Sequence, residues 1–120
     1  METGGLALSG VTVGSGDGVP QGASHVCALD ALGGIHCWGY NASGQLGNDD
    51  TSNSNEPVAV HMPVGVKATS VTAGVYYTCA VASNGVYCWG NNQYGQLGDG
   101  TMTDRWTPVL VAGTRGKAGP

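Results

Sequence analysis

Charge is scarce in this sequence: charged residues make up 10 % of its 120 residues, against about 25 % in an average soluble domain. Lys and Arg together number four and the formal net charge is −4. Arg105, Arg115 and Lys117 stand near the C-terminus, too few cations for the array of phosphate contacts that nucleic-acid affinity needs. DNA or RNA as a principal partner is therefore excluded. No run of about 18 apolar residues is present, which excludes a helical membrane span. The opening Met1-Glu2-Thr3-Gly4-Gly5 has neither a basic segment nor an apolar one, so no signal peptide is expected in the chain as it stands. Long stretches of helix-forming residues are missing as well.

What is abundant is glycine, 22 residues, a density that costs backbone entropy unless turns require it. Between clusters of Gly, Asn, Asp, Ser and Pro run short segments rich in Val, Thr, Tyr and Ile, the pattern of many short strands joined by tight turns. A scarcity of charge on so short a chain implies that part of its surface is covered by further protein.

One block occurs twice. Cys-Trp-Gly, a few turn residues and Gly-Gln-Leu-Gly span Cys37 to Gly47 and again Cys88 to Gly98. Trp38 and Trp89 are 51 positions apart, as are Gln45 and Gln96, and Pro57 and Pro108. A period of this size marks a repeat array such as a propeller, whose units bury their apolar faces only against one another. Residues 19–65 are assigned to the first repeat and 66–111 to the second. Residues 1–18 are expected as an N-terminal extension or as part of the first blade's outer strand. Residues 112–120 are expected as a tail or the start of a further blade.

Within each repeat a hairpin places two cysteines opposite each other, Cys27 with Cys37 and Cys79 with Cys88. The expected turns are Ala31-Leu32-Gly33, with Gly33 at positive φ, and Ser83-Asn84-Gly85. Directly opposed residues at a non-hydrogen-bonded position lie within disulfide reach, so two intra-blade disulfides are expected, and with them an oxidising, extracellular or periplasmic compartment for the parent protein. The competing readings are four buried free thiols and a zinc site on His25, Cys27, His36 and Cys37. Against zinc, the second repeat carries Tyr77 and Tyr87 in place of the histidines, and the adjacent His36 and Cys37 point to opposite faces of a strand. Along the first arm His25, Cys27 and Leu29 share one side, Val26 and Ala28 the other. Both sides are largely apolar, as in a sheet sandwiched between two others.

In Trp38-Gly39-Tyr40-Asn41-Ala42-Ser43-Gly44-Gln45-Leu46-Gly47 and its second copy, Trp38, Leu46, Trp89 and Leu97 are read as the structural core of the repeat, the leucines anchoring each turn in the gap between blades. No metal or cofactor is expected. The Gly-rich stretches lack the following helix and the Lys-Ser or Lys-Thr pair of a phosphate-binding loop. Asp49-Asp50-Thr51 and Asp99-Gly100-Thr101 lack the further acidic ligands of a calcium site and are read as turn caps. The glycosylation triplet Asn41-Ala42-Ser43 falls inside the repeat's own turn and is read as accidental.

These residues carry a resemblance. His25-Val26-Cys27-Ala28-Leu29, Cys37-Trp38-Gly39, Asn41, Gly44-Gln45-Leu46-Gly47 and Pro57-Val58, with their counterparts in the second copy, resemble the regulator of chromosome condensation repeat family over roughly residues 19 to 111. The resemblance implies all-β propeller blades of four antiparallel strands, two per chain, the ring completed by oligomerisation or belonging to a seven-bladed propeller. Cysteine-paired members resemble secreted bacterial proteins. The family includes a nucleotide exchange factor, a plant ultraviolet photoreceptor and a secreted β-lactamase inhibitor, so the shared feature is a rigid scaffold with variable loops.

Three functions follow as expectations. The first is a non-catalytic binding or scaffolding module using the loops Asn48 to Glu56 and Met102 to Trp106, with Arg105 and Trp106 as candidate partner-binding residues. The second is a self-assembling structural fragment without ligand, and a secreted enzyme inhibitor is the third. Two blades would expose apolar faces at both ends, so a homo-oligomer through head-to-tail blade contacts is expected. Catalysis is not expected: few acid–base groups are present and His61 has no recognisable partner in the sequence.

Overall fold

The computed structural model describes residues 8–14 and 24–111, and over these the protein is all-β. Strands β1 (Leu8–Gly14), β2 (His25–Asp30), β3 (Ile35–Gly39) and β4 (Ser54–Ala59) form one antiparallel sheet in chain order. Strands β5 (Ala68–Ala73), β6 (Tyr77–Ala82), β7 (Gly85–Gly90) and β8 (Arg105–Leu110) form the second in the same way. The 112–120 segment, most of the expected N-terminal extension, and Arg115 and Lys117 lie outside the described residues. No helix long and apolar enough to cross a membrane is found among the described residues.

Local chemistry explains the hairpins. Asp30 closes the β2–β3 turn by accepting the amides of Leu32 and Gly34 on one carboxylate oxygen at 2.8 and 2.9 Å, and Gly33 has φ 84° as expected. The second turn is tighter than the expected three residues. Ala82 pairs directly with Gly85, which leaves Ser83 and Asn84 to make the reversal. Cys27 faces Cys37 and Cys79 faces Cys88 in register, and both pairs are disulfides, with Cα atoms 4.1 and 4.0 Å apart.

Gly39 and Gly90 end the strands that carry the tryptophans, at φ 113° and 108°. A Cβ on Gly90 would lie 2.7 Å from the Tyr76 carbonyl oxygen, and one on Gly39 would lie 2.6 Å from that of Ser24. A side chain at either position is excluded both by φ and by space. Pro57 and Pro108 sit in the edge strands β4 and β8, beside the places where the register with β3 and β7 slips; an edge position tolerates the missing N–H.

Strand alternation gives each sheet two different faces. One carries the disulfide: Cys27, Leu29, Ile35 and Cys37 in the first sheet. The other carries the tryptophan: Thr78, Ala80, Tyr87 and Trp89 in the second. The core forms where the disulfide face of the first sheet meets the tryptophan face of the second, gathering Cys27, Ile35, Cys37, Leu46 and Val60 with Ala68, Ala80, Ala82, Tyr87 and Trp89.

Of residues 1–18, expected as an extension or as part of the first blade's outer strand, the described 8–14 form β1, an edge strand of the first sheet. Strand β1 pairs with β2 and lies against β5, and the Ala73 amide donates to Thr12 Oγ1 at 3.3 Å. Its place is therefore on the side where the two sheets converge, and β4 is the opposite edge of the first sheet.

Candidate functional site

The most highly organised part of the molecule is the seam between the sheets, and its centre is the backbone carbonyl of Gln45. The Trp89 indole donates to it at 2.9 Å and the Thr78 hydroxyl at 2.8 Å. With the Thr78 proton committed to Gln45, the 2.8 Å contact between Thr78 Oγ1 and His25 Nε2 is donated by His25. One chain of bonds thus runs from β2 of the first sheet through β6 to the Gly-Gln-Leu-Gly turn. At the hairpin end, the Ala68 amide donates to the Gly33 carbonyl at 2.9 Å and Lys67 Nζ to the Leu32 carbonyl at 3.2 Å.

His25 is fully buried. Removal from water pushes its imidazole down from 6.5 to about 4, the Tyr77 backbone recovering part of the loss. Because the folded value lies below the unfolded one, the unfolded chain binds the extra proton between these limits. Stability is whole above pH 6.5, falls as the pH drops towards 4 and levels off below. The loss across that window is expected to be about 3 kcal/mol. Urea unfolding at pH 7, 5 and 4 reads it, and His25→Gln flattens the slope; a wild-type midpoint constant from pH 7 to 4 would contradict the burial of a neutral ring.

The two repeats brace their turns identically with a buried asparagine. Asn41 Nδ2 donates to the carbonyls of Asp50 and Ser52, both at 2.9 Å, and its Oδ1 accepts the Leu46 amide. Asn92 does the same with Thr101, Thr103 and Leu97. Their own amides are held by Asn53 Oδ1 and Asp104 Oδ1, each at 2.8 Å. Sequence reasoning missed this role, although the fixed distance between Asn41 and the following Gly-Gln-Leu-Gly, kept in both copies, was its signal. With Asn41 fully buried and its amide nitrogen engaged, the glycosylation triplet has a structural purpose. Gln45 and Gln96 differ instructively. Gln96 Nε2 donates to Asn91 at 2.9 Å, whereas Tyr40 occupies the corresponding place in the first repeat and Gln45 Nε2 is left buried without a partner.

The remaining sequence candidates separate. Cys27 and Cys37 are joined to each other, His25 turns to Thr78, and His36 Nε2 donates to the Asp30 carboxylate at 2.8 Å, so the four do not gather around a common point. That contact, first, and the Gly34 amide hold the Asp30 carboxyl below its ordinary value. Asp50 caps its turn through the amides of Thr51 and Ser52. Asp99 accepts the amide and hydroxyl of Thr101 on Oδ1 and Arg105 Nε on Oδ2, the latter at 2.8 Å. Its burial opposes charge, yet these bonds and that from Asn92 outweigh it and hold the carboxyl at about 2.

Arg105 is thereby tied into its own loop. Trp106, next to it on β8, stays 46 % exposed. Leu46 and Leu97 are both fully buried; Leu46 packs in the seam with residues of the second sheet, as expected of a leucine anchored between blades, whereas Leu97 is buried although no third sheet follows among the described residues. Trp89 is also fully buried, but Trp38 is only half-buried and lies outside the core. It faces outward on the tryptophan face of the first sheet, where no disulfide face covers it among the described residues. His61 is exposed.

Two four-stranded antiparallel sheets stacked disulfide face on tryptophan face, with the turn of one capping the indole of the next, are consecutive blades of a β-propeller. The repeat that builds them is known. The chain belongs to the regulator of chromosome condensation (RCC1) repeat family, whose pattern matches residues 33–81 and 83–119, a second form of it matching residues 68–96. The ultraviolet-B receptor UVR8 of Arabidopsis thaliana is 40 % identical over 97 residues, 80 % of this chain and 22 % of that protein. The human E3 ubiquitin-protein ligase HERC2 is 36 % identical over 97 residues, 77 % of this chain and 2 % of that one. Among solved structures, human WBSCR16 superposes with a TM-score of 0.74 at 25 % identity, over 92 % of this chain and 27 % of its own. Yeast RCC1 (Prp20), solved with Kap60, gives 0.59 at 28 % identity, over 72 % and 23 %. The chain thus spans about a quarter or less of the length of these relatives.

Proposed function

We propose that this propeller segment is a non-catalytic protein-binding and scaffolding module. The observation that carries the reading is the division of labour in the two repeats. The repeated polar side chains Asn41, Asn92, Gln45 and Gln96 hold the turns, and the four cysteines are in disulfides. Most residues of the loops 48–56 and 102–106, where the repeats differ, are exposed. Rigid blades with variable loops suit recognition. Two disulfides are compatible with an extracellular location for the parent protein. The test is binding of a partner captured from that milieu to Met102→Ser/Trp106→Ala and to a variant with Asn48 to Glu56 replaced by Gly and Ser. Loss of affinity in either supports the reading, and undiminished affinity in both overturns it.

The outward faces bear on assembly. The first sheet turns Val26 and Trp38 outward and the second turns Tyr77, Cys79 and Val81 outward, the same two surfaces that meet at the seam. A recess of about 450 Å³ beside Tyr76, Tyr77, Asn91 and Gln96 corresponds to the place where the first repeat receives Trp89. The outward disulfide face therefore suits the tryptophan face of a further blade, and a second copy can supply one head to tail. Light scattering is expected to show concentration-dependent association that Trp38→Glu abolishes; a folded wild-type monomer at tens of micromolar contradicts it.

A further inference from the structure

Trp106 is an indole that the repeat does not require. Fifty-one positions earlier its counterpart is Asn55, so the blade is built equally well without an indole there. Its ring is nevertheless pre-set. The Trp106 carbonyl accepts the Asp49 amide at 2.9 Å, and the indole lies on Gly44, where a Cβ would come within 2.5 Å of its Cδ1. Half of the side chain stays open. It forms one wall of a groove of about 610 Å³ that crosses from Ala42 of the first repeat to Asn91, Gln93, Met102 and Asp104 of the second.

The groove's charge is equally unneeded by the architecture. Asp104 braces the Asn92 amide through one oxygen, a task that Asn53, its counterpart, performs with a neutral amide. The negative charge is thus surplus to the brace, and Asp104 is exposed. Exposed Asp49 and Asp50 follow on the loop bonded to Trp106. The described cations do not offset them: Arg105 is paired with Asp99, and Lys67 donates to Leu32 at the far hairpin. The groove shares its Asn91 and Gln93 edge with the recess beside Tyr77, while Met102, Asp104 and Trp106 line the groove alone.

An accessible indole face flanked by unpaired carboxylates is the arrangement that receives a cationic side chain, through cation–π attraction and charge complementarity together. We infer that this groove takes an extended basic segment of a partner protein, seating a Lys or Arg side chain on the Trp106 indole with Asp104 as its counter-charge. The inference rests on the binding-module reading and names the chemistry of the partner.

The probe is a fluorescein-labelled peptide of alternating Arg and Gly, titrated by anisotropy and by the indole N–H resonances of ¹⁵N-labelled protein. The Trp106 resonance is expected to move while that of Trp89 stays, with affinity falling as salt rises. Trp106→Ala weakens binding about fivefold and Trp106→Phe restores much of it. Asp104→Asn keeps the brace, as Asn53 does, and weakens binding about threefold with a shallower salt dependence. No movement of Trp106 at millimolar peptide, or equal binding of an alternating Glu and Gly peptide, overturns the inference. If a neutral Pro-rich peptide moves Trp106 where the basic one does not, the basic partner is wrong and the binding module stands. That module falls by its own loop variants.

Discussion

Trp89→Ala is expected to lower stability by about 4 kcal/mol, and Trp38→Ala by only about 1–2 kcal/mol. The two residues occupy the same place in the repeat, and sequence alone assigns them the same role. Their surroundings differ. Trp89 is fully buried in the seam and donates to Gln45, so truncation opens a cavity and removes a hydrogen bond between sheets. Trp38 lies half-buried on a face with no sheet beyond it among the described residues, and surrounding structure has less to lose. Urea unfolding at nanomolar concentration, where self-association is minimised, measures both. Equal costs would mean that the seam is not the main source of stability.

Reduction of both disulfides is expected to remove about 5 kcal/mol, close to the whole stability of a small domain. Each closes a short loop, with separations of 10 and 9 residues, worth about 2.6 kcal/mol of chain entropy apiece. The order of reduction carries structural information. Cys27 and Cys37 are both fully buried in the seam, whereas Cys79 is half-exposed on the outward face of the second sheet. Limited thiol reductant followed by alkylation and mass spectrometry is expected to label Cys79 and Cys88 first, with the protein still folded, and Cys27 and Cys37 only on unfolding. Association that covers the outward face would slow the first step, so raising the protein concentration should protect Cys79 and Cys88. The reverse order of labelling would contradict the stacking of the sheets.

Much of this was legible in the sequence for one reason: the unit is written twice. The equal spacing of Trp, Gln and Pro identified the repeat, the facing cysteines identified the hairpins and their bonds, and the turn glycine at Gly33 followed from the length of the loop. Asn41 and Asn92 were visible as recurring residues, but their purpose was not. A buried amide that gathers carbonyls from nine and eleven residues away depends on how the loop folds back, which spacing does not reveal. Arg105 and Trp106 were indistinguishable as partner-binding candidates until the loop turned the guanidinium to Asp99 and left the indole in the open.

By itself the amino-acid order determined the repeat, its strand-and-turn chemistry, and the pairing of cysteines across each hairpin, because all of these arise from local geometry within about fifty residues. Only the tertiary structure decided which Trp is buried, which disulfide is shielded, why His25 resists protonation, and where β1 lies. Those properties belong to contacts between the repeats. Two near-identical units become different once one face of each is covered and the other is left bare.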